Sequence, residues 1–284
     1  ELGSIIGSMV HVGMVITQMH HFMSRLRDLL KRSANRRPIT LTDPIRKDLN
    51  LMFFLLLDKA KAGVDMNLLV FRKPTKVYRS DSCPAGMGGY SSDGFAWRWY
   101  LPDHLKYRAS NNLLEHLASI VTPWIDMIIG RLVKGDCFLS MTDSSTSEGW
   151  SKLSNFSELG EEPIQAEVRI EVCRTDAKRK LDFGVKDYSQ WFPGAHNQVA
   201  DALSRDDDRS DQDLIKTFNL FCSSQIPSHF EIVPLPAEIV SFLTSVLLKL
   251  PEKTQLRETH TRTKLGRGAD GQNTKIQLEL GRTH

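Results

Sequence analysis

Four acidic residues interrupt patterns that otherwise favour apolar or neutral side chains. Asp81 comes at the end of an alternating apolar run, and Asp143 comes at the end of another. Glu115 breaks the apolar face of a helical segment, and Asp201 lies inside a short helical segment further along. An acid at a strand end is most often a cap or turn residue, which is the simple interpretation of each one alone. Converging carboxylates would instead offer the hard oxygen ligands that a cation such as Mg²⁺ prefers.

The distribution of charge favours converging carboxylates that bind a cation. The net charge is +3, but residues 1–80 carry 14 Lys/Arg and 6 Asp/Glu, whereas residues 81–205 carry 13 and 17. A basic arm beside an acidic centre suits phosphate binding next to a cation-requiring site, although scattered solvated charge would give the same counts. Arg25 and Arg27 belong to a basic cluster that would either grip a phosphate backbone or form a solvated helix face.

Composition narrows the class of protein. The chain is 40% hydrophobic and 25% charged, as ordinary globular proteins are. Its longest apolar run, residues 51–57, is far too short to span a bilayer, and no signal peptide is visible. The four cysteines are far apart and form no CxxC pair, which disfavours a zinc site or a disulfide framework. We therefore expect an intracellular location, in the cytoplasm or nucleus, and no membrane partner. The start at Glu1 rather than Met suggests a piece of a longer chain.

The central region predicts alternating strands and helices that would position the four acids. Strands are predicted where apolar residues alternate between Gly/Ser turns, and helices where apolar residues recur every three to four positions. In chain order the predicted strands and helices are β at 76–83, 86–92 and 94–102, α at 110–130, β at 136–143, α at 144–156 and 163–180, β at 183–192 and α at 196–206. Ser110 is expected to cap its helix. Trp191 and Phe192 are expected in the core.

The flanking regions have a different character. Residues 1–75 predict a helical segment, with one or two helices over 1–33 and another over 44–61. Residues 206–284 predict an exposed acidic linker, one amphipathic helix at 236–251 and a polar, disordered tail. That helix would either pack back on the domain or bind a partner. The predicted domains are therefore 1–75, 76–205 and 206–284.

The stretches "YRSDSCPAGMGGY", "NLLEHLA", "LSMTDSSTSEGW" and "WFPGAHNQVADALSR" resemble the ribonuclease H domain of retroelement reverse transcriptases. The resemblance is to the long-terminal-repeat and tyrosine-recombinase groups and covers residues 76–205. Residues 1–75 resemble, more weakly, the thumb and connection that follow the polymerase palm. This resemblance implies an α/β fold, with a mixed five-stranded sheet flanked by helices and preceded by a small helical segment. No Tyr-x-Asp-Asp palm motif occurs in the sequence, so polymerase activity is not expected.

The resemblance also implies an activity: hydrolysis of the RNA strand of RNA/DNA hybrids with two Mg²⁺ ions, which Mn²⁺ can replace. The implied metal ligands are Asp81, Glu115, Asp143 and Asp201. By analogy Asp81 bridges both ions, Asp201 helps to hold the ion on the side of the attacking water, and the other two hold the ion at the leaving group. The implied partners are the RNA/DNA hybrid and the polymerase palm and fingers of the same polyprotein.

Further residues are expected to contact substrate. They are Gly86 and Gly88, where backbone would approach the RNA strand closely, with Ser144, Asn197, Arg25 and Arg27. Two interpretations of His196 stay open: it assists product release, or it is an ordinary surface histidine. A catalytically silent nucleic-acid-binding or connection module is the alternative function, and a transposase or junction resolvase on the same fold is a third. The intact set of four acids favours an active ribonuclease H.

Overall fold

The structure, a computed structural model, describes residues 1–32, 40–153 and 161–252, and its described helices and strands belong to one compact unit, Glu1–Glu252. The α-helices in these residues are α1 (Leu2–Val15), α2 (Ser24–Arg32), α3 (Asp43–Ala62), α4 (Met66–Leu69), α5 (Asn111–Ile128), α6 (Ser145–Lys152), α7 (Pro163–Phe183), α8 (Gln198–Arg205), α9 (Asp211–Phe221) and α10 (Ala237–Leu248). The strands are β1 (Lys76–Cys83), β2 (Gly86–Ser91), β3 (Phe95–Tyr100), β4 (Cys137–Thr142), β5 (Lys186–Trp191) and β6 (Glu231–Ile232).

The strands form a single mixed sheet in the order β5-β4-β1-β2-β3-β6. β1, β2 and β3 are an antiparallel meander, while β4 runs parallel to β1 and β5 runs parallel to β4. The predicted α/β class is therefore confirmed, as is the predicted order of strands and helices over residues 76–206. The five predicted strands are all present. The sixth strand, β6, comes from the region after Arg205 and pairs parallel to β3.

Helices cover both faces of the sheet, and alternation along β2 shows which helix covers which face. A Cβ on Gly88 would lie 2.5 Å from Leu203 Cβ in α8, whereas a Cβ on Gly89 would lie 2.5 Å from Thr122 Oγ1 in α5. Successive residues of a strand point to opposite faces, so α5 and α8 pack on opposite sides. The α5 side also contains buried residues of α7 and α10, and the α8 side contains buried residues of α9.

The N-terminal helices have an apolar core of their own. Met19, Phe22, Met23 and Leu26 are buried in it, together with residues of α1 and α3. Ala177 of α7 belongs to the same cluster, so the N-terminal segment packs on the central region. The helices predicted over 1–33 and 44–61 are confirmed, with a short 3-10 helix, Thr17–Phe22, between α1 and α2.

The prediction for residues 206–252 needs a correction. The acidic stretch predicted as an exposed linker instead contains the start of α9, which Ser210 caps by accepting a hydrogen bond from the Asp213 N–H. Leu214 and Phe218 of α9 are buried against the sheet. The helix predicted at 236–251 is present as α10, and it packs back on the core through Ile239 and Leu243.

Some predictions fall outside the described residues or are not tested by them. The tail predicted as disordered, 253–284, lies outside the described residues, as does the end of the helix predicted at 144–156. The three-domain division stays a prediction about units that fold independently. No helix among the described residues combines the length and the apolar character needed to cross a bilayer.

Candidate metal centre

Asp81 and Asp143 meet because β1 and β4 are parallel neighbours. Their register pairs Arg79 with Met141, so Asp81 in β1 lies beside the end of β4, and Asp143 is the residue that follows β4. Both carboxylates therefore lie at the same edge of the sheet, where their oxygens come within 4.8 Å of each other. Crevices at the carboxyl ends of strands in α/β sheets are where ligands commonly bind.

Glu115 reaches the same edge from α5. It lies near the beginning of that helix, whose N-cap, Ser110, accepts a hydrogen bond from the Leu113 N–H as predicted. Its Oε1 accepts hydrogen bonds from the backbone N–H of Ser82, at 3.2 Å, and from Ser82 Oγ, at 2.9 Å. Ser82, the residue that follows Asp81, thus ties the Glu115 carboxyl to β1.

The three carboxyl groups form a cluster that we call the acidic triad: Asp81, Glu115 and Asp143. Each offers an oxygen, and the three oxygens lie within 4.8 Å of one another. Asp81 and Glu115 are each only 4% exposed. The second Glu115 oxygen, Oε2, is buried and has no hydrogen-bond partner in the described residues. A buried acceptor without a partner is costly unless something satisfies it, so the triad fits a divalent cation.

Burial dominates the electrostatics of the triad. Burial and then the charge of Asp81 raise the pKa of Glu115 to about 8, although the hydrogen bonds from Ser82 oppose the rise. Burial raises the pKa of Asp81 to about 6, with Asp143 and Asp201 adding to the rise. Burial also raises the pKa of Asp143. Without a cation, the fold therefore holds carboxyl groups that resist ionisation.

Neighbouring residues fix the positions of the two aspartates. Ser204 Oγ, from α8, donates a hydrogen bond of 2.6 Å to Asp81 Oδ2. Trp191 Nε1, at the end of β5, donates to the backbone carbonyl of Asp143 at 2.8 Å. A Cβ on Gly194 would lie 2.8 Å from Asp143 Oδ2, so a side chain at this position would displace the carboxylate as it now stands.

Asp201 occupies a different position from the other three acids. It lies on α8, its side chain is 53% exposed, and its Oδ1 accepts a hydrogen bond from Arg205 Nε. It is not part of the 4.8 Å cluster, although its charge contributes to the raised pKa of Asp81 and of Asp143. The structure thus brings three of the four predicted ligands together and places the fourth nearby, paired with an arginine.

Gly86 and Gly88 lie close to α8. A Cβ on Gly86 would lie 2.6 Å from the Ser204 carbonyl oxygen, and a Cβ on Gly88 would meet Leu203. Both glycines therefore make room for α8 on that face of the sheet, which allows Ser204 to come close to Asp81. Contact of their backbone with substrate stays a prediction.

The other predicted contact residues have structural partners. Ser144 caps α6 by accepting a hydrogen bond from the Ser147 N–H. Asn197 is buried and its side-chain amide donates to the Ser80 carbonyl at 3.0 Å, while its Oδ1 has no partner among the described residues. His196 is exposed in the short 3-10 turn before Asn197. Contacts of these residues with substrate stay predictions.

The two predicted arginines of the N-terminal segment differ. Arg25 forms a salt bridge with the buried Asp48 at 3.4 Å, and Arg174 of α7 also contacts Asp48. Arg27 is half-buried on the same helix, and its charge, after burial, helps to lower the pKa of His20. Arg25 is thus engaged within the fold, whereas Lys31 and Arg32, further along α2, are exposed.

The sequence did not single out several residues that support the site. Ser82, Ser204, Arg205 and Gly194 had no predicted role, and Trp191 is 47% exposed at the site rather than buried as expected, whereas Phe192 is buried. Ser204 and Arg205 lie in the "ADALSR" stretch, three and four residues after Asp201. On a helix that spacing places side chains on one face, which is the signal that could have identified them.

The chain is similar to several solved structures. No family model matches the chain, and no curated protein matches it. Four solved chains match, including ribonuclease H1 of the halophilic archaeon Halobacterium salinarum, at 20% identity and a TM-score of 0.34, over 47% of this chain and 97% of that one. Another is the N-terminal ribonuclease H domain of a Mycobacterium tuberculosis protein, solved as a fusion with maltose-binding protein. It has 16% identity and a TM-score of 0.32, over 50% of this chain and 96% of that one.

Proposed function

We propose that this chain hydrolyses the RNA strand of RNA/DNA hybrids with the help of two divalent cations. In this proposal it is the ribonuclease H domain of a retroelement reverse transcriptase, with the thumb and connection before it. The observation that carries the proposal is the acidic triad, with its unsatisfied Glu115 Oε2, at the edge where β1 and β4 end. Oxygen ligands alone, without His or Cys, favour Mg²⁺ or Mn²⁺ over zinc.

The residues of the site have separable tasks in this proposal. Asp81 would contribute to both ions, as the resemblance to ribonucleases H implies, and Glu115 and Asp143 offer oxygens within 4.8 Å of it. Ser204 holds one Asp81 oxygen, and Ser82 holds one Glu115 oxygen, which leaves the other oxygen of each for a cation. Bound divalent cations would activate a water molecule for attack on the phosphodiester and offset charge on the phosphate.

The basic N-terminal segment is proposed to bind the hybrid backbone. Lys31 and Arg32 are exposed on α2, and Arg27 precedes them on the same helix. Each phosphate contact made by such a residue lowers the slope of log affinity against log salt by about 0.9. Replacing Lys31 and Arg32 by Gln should therefore make hybrid binding less salt-dependent, which fluorescence anisotropy at several salt concentrations measures. An unchanged slope would exclude these residues from phosphate contact.

The partner proposed for the rest of the N-terminal segment is the polymerase palm and fingers of the same polyprotein. α3 exposes Phe53, Phe54 and Leu57 on its surface, with side chains 60%, 63% and 41% exposed. Contiguous exposed apolar side chains of this kind are typical of surfaces that a neighbouring domain covers. That exposure and the resemblance of residues 1–75 support this contact.

A cleavage assay tests the proposed activity. RNA labelled at one end is annealed to DNA and incubated with the full chain in Mg²⁺, in Mn²⁺ or in EDTA, beside duplex DNA and duplex RNA of the same sequence. We expect cleavage of the hybrid alone, with 5′-phosphate products, and no cleavage in EDTA. Equal cleavage of duplex DNA, or activity that survives EDTA, would contradict the proposal. Tight hybrid binding without cleavage in either metal would favour the catalytically silent module.

A further inference from the structure

Arg205 places a positive charge among the acidic residues of the metal centre. It is the last residue of α8, four positions after Asp201 on the same face of the helix. Its Nε donates to Asp201 Oδ1 at 2.5 Å, and one of its terminal nitrogens lies 3.9 Å from Asp81 Oδ2. The guanidinium group therefore contacts the one predicted ligand outside the acidic triad and also reaches towards a carboxylate inside it.

Arg205 is well suited to exchange its partners. Its side chain and that of Asp201 are both 53% exposed, so the pair can open without unpacking the core. Exposed pairs of this kind contribute little to stability and are easily replaced. Within residues 1–32, 40–153 and 161–252, it is the only basic side chain that forms an ion pair with any of the four predicted ligands.

The electrostatic effect of Arg205 extends to two members of the triad. Burial raises the pKa of Asp81 and of Asp143, and the charge of Arg205 opposes the rise in both. A divalent cation bound to the same carboxylates would oppose that rise more strongly, since it has twice the charge. It would also repel the guanidinium group at short range. The arginine and a metal ion therefore favour the same carboxylates and disfavour each other.

We propose that Arg205 is an internal counter-ion of the metal centre, which holds Asp201 and shields Asp81 when no metal is bound and competes with an incoming divalent cation. It is a positioning residue, because it acts through Asp201 and Asp81. Release of Arg205 frees Asp201 to join the triad as the fourth ligand. This inference rests on the proposed metal-dependent function, and in particular on metal binding by the acidic triad.

The counter-ion role predicts a gain of metal affinity when the charge is removed. In R205Q, Asp201 has lost its ion pair and an incoming cation no longer meets a positive charge. Because the Arg205 charge is exposed to solvent, its effect is moderate, and we expect Mn²⁺ to bind about three- to tenfold more tightly than to the unmodified chain. An arginine that only oriented Asp201 for the metal would give the opposite sign, a loss of affinity on removal.

Isothermal titration of the full chain with Mn²⁺, in the absence of nucleic acid, tests this without relying on activity. R205Q and R205M are two neutral variants of different shape, and R205K keeps the charge. K178Q is the matched control, because Lys178 and Asp182 form an i,i+4 pair on α7 with similar exposures, 53% and 60%. We expect both neutral variants to bind Mn²⁺ more tightly, and R205K and K178Q to bind it within about twofold of the unmodified chain, as exposed pairs have small effects.

Each result has a definite meaning. Tighter Mn²⁺ binding by both neutral variants, with R205K and K178Q unchanged, supports the counter-ion role. Equal or weaker binding by the neutral variants overturns it while leaving the proposed function intact. A gain in R205K as large as in R205Q also overturns it, because the charge would then not be the cause. An unmodified chain that binds no Mn²⁺ at all overturns this inference and the proposed function together.

Discussion

Glu115 and Asp187 are both largely buried carboxyl groups, but their surroundings differ. Asp187 on β5 accepts a hydrogen bond of 2.6 Å from Lys180 Nζ, and Asp176 on α7 contacts the same nitrogen at 2.6 Å. Burial alone would raise the pKa of Asp187, yet the charge of Lys180 lowers it. Glu115 has hydrogen bonds only from Ser82, and its pKa is raised to about 8.

The difference separates a structural cluster from a candidate binding site. In the cluster around Lys180, one cation from the chain satisfies two acids, so the charges stabilise each other inside the fold. In the acidic triad the only nearby cation is the exposed Arg205, which does not contact Glu115 in the described structure. Acids placed together without a buried cation cost stability, and proteins commonly accept that cost at functional sites. The comparison predicts that an Asp→Asn substitution leaves stability unchanged or raises it in the acidic triad, and lowers it in the cluster around Lys180.

The largest expected effect is that of Asp81→Asn on cleavage. Even residues that merely support metal ligands cost about 10- to 100-fold when removed, so loss of a proposed bridging ligand should cost more than about 100-fold. In EDTA the variant should be as stable as the unmodified chain or more stable, because a raised-pKa acid is removed. Thermal melts with EDTA and with Mg²⁺ measure both effects, and Mg²⁺ should stabilise only the unmodified chain. An Asp81→Asn chain that melts lower in EDTA and responds to Mg²⁺ normally would refute a metal site here.

Asp187→Asn is expected to have the opposite effect on stability. It removes one of two counter-ions from the buried Lys180, and breaking a buried ion pair costs about 3–5 kcal/mol. Asp176 remains, so we expect a loss at the lower end, about 3 kcal/mol, that Mg²⁺ does not change. Urea unfolding in EDTA and in Mg²⁺ provides the measurement. A variant as stable as the unmodified chain would mean that Lys180 does not need Asp187, and the contrast with the triad would fail.

The pH dependence of stability sharpens the comparison further. The pKa of Glu115 is about 8 in the folded chain and 4.5 is its ordinary value, so the folded state binds the proton more tightly. Such a group lowers stability by about 1.4 kcal/mol per pH unit as pH rises between the two values. Burial lowers the pKa of His21 to about 4 and of His116 to about 3, which gives the opposite slope, but only below their ordinary value of 6.5.

From pH 6.5 to 8 Glu115 loses its proton in the folded chain, while the opposing effect of the histidines fades. Glu115 should lower stability in EDTA by about 1.5 kcal/mol over this range, measured as the difference in pH dependence between the unmodified chain and Glu115→Gln. Urea unfolding at pH 6.5, 7.2 and 8 measures it, with Asp182→Asn as the control for an exposed acid. Stability that rises with pH over this range, or an equal slope in Glu115→Gln, would show that Glu115 is already ionised in the folded chain.

The sequence predicts the strands and helices because local patterns along the chain determine them. The strands that carry Asp81 and precede Asp143 alternate apolar residues and end at turns, and the helix that carries Glu115 has a recognisable cap in Ser110. These signals depend on neighbours along the chain. They place the three acids at the ends of the correct elements without any knowledge of how those elements pack.

What the sequence did not predict depends on contacts between distant elements. α9 was mistaken for a linker because its acidic start resembles solvated charge, although a Ser210 cap with Asp211 and Asp213 in the first turn also favours a helix. The two-residue β6 has no periodicity to detect. The pairing of Arg205 with Asp201 and the use of Gly88 to admit α8 depend on how α8 packs on the sheet, which no local pattern shows.

The smallest expected effect concerns Ser204. Its neutral hydroxyl donates a hydrogen bond to Asp81, whereas the charged Lys180 donates one to Asp187. Ser204→Ala removes the 2.6 Å hydrogen bond to Asp81 Oδ2. Asp81 then has no fixed orientation, and we expect Mn²⁺ affinity to fall about tenfold, the lower end of the range for residues that support metal ligands.

Ser210→Ala is the matched control for this change. Ser210 Oγ also donates to an aspartate, Asp213, at 2.6 Å, but it does so at the exposed start of α9. That variant should lose about 1 kcal/mol of stability as a missing helix cap and bind Mn²⁺ normally. Calorimetric titration of both variants separates the two roles. If Ser204→Ala bound Mn²⁺ as tightly as Ser210→Ala, the hydrogen bond to Asp81 would be a feature of helix packing, and the orientation of Asp81 would have to come from β1 alone.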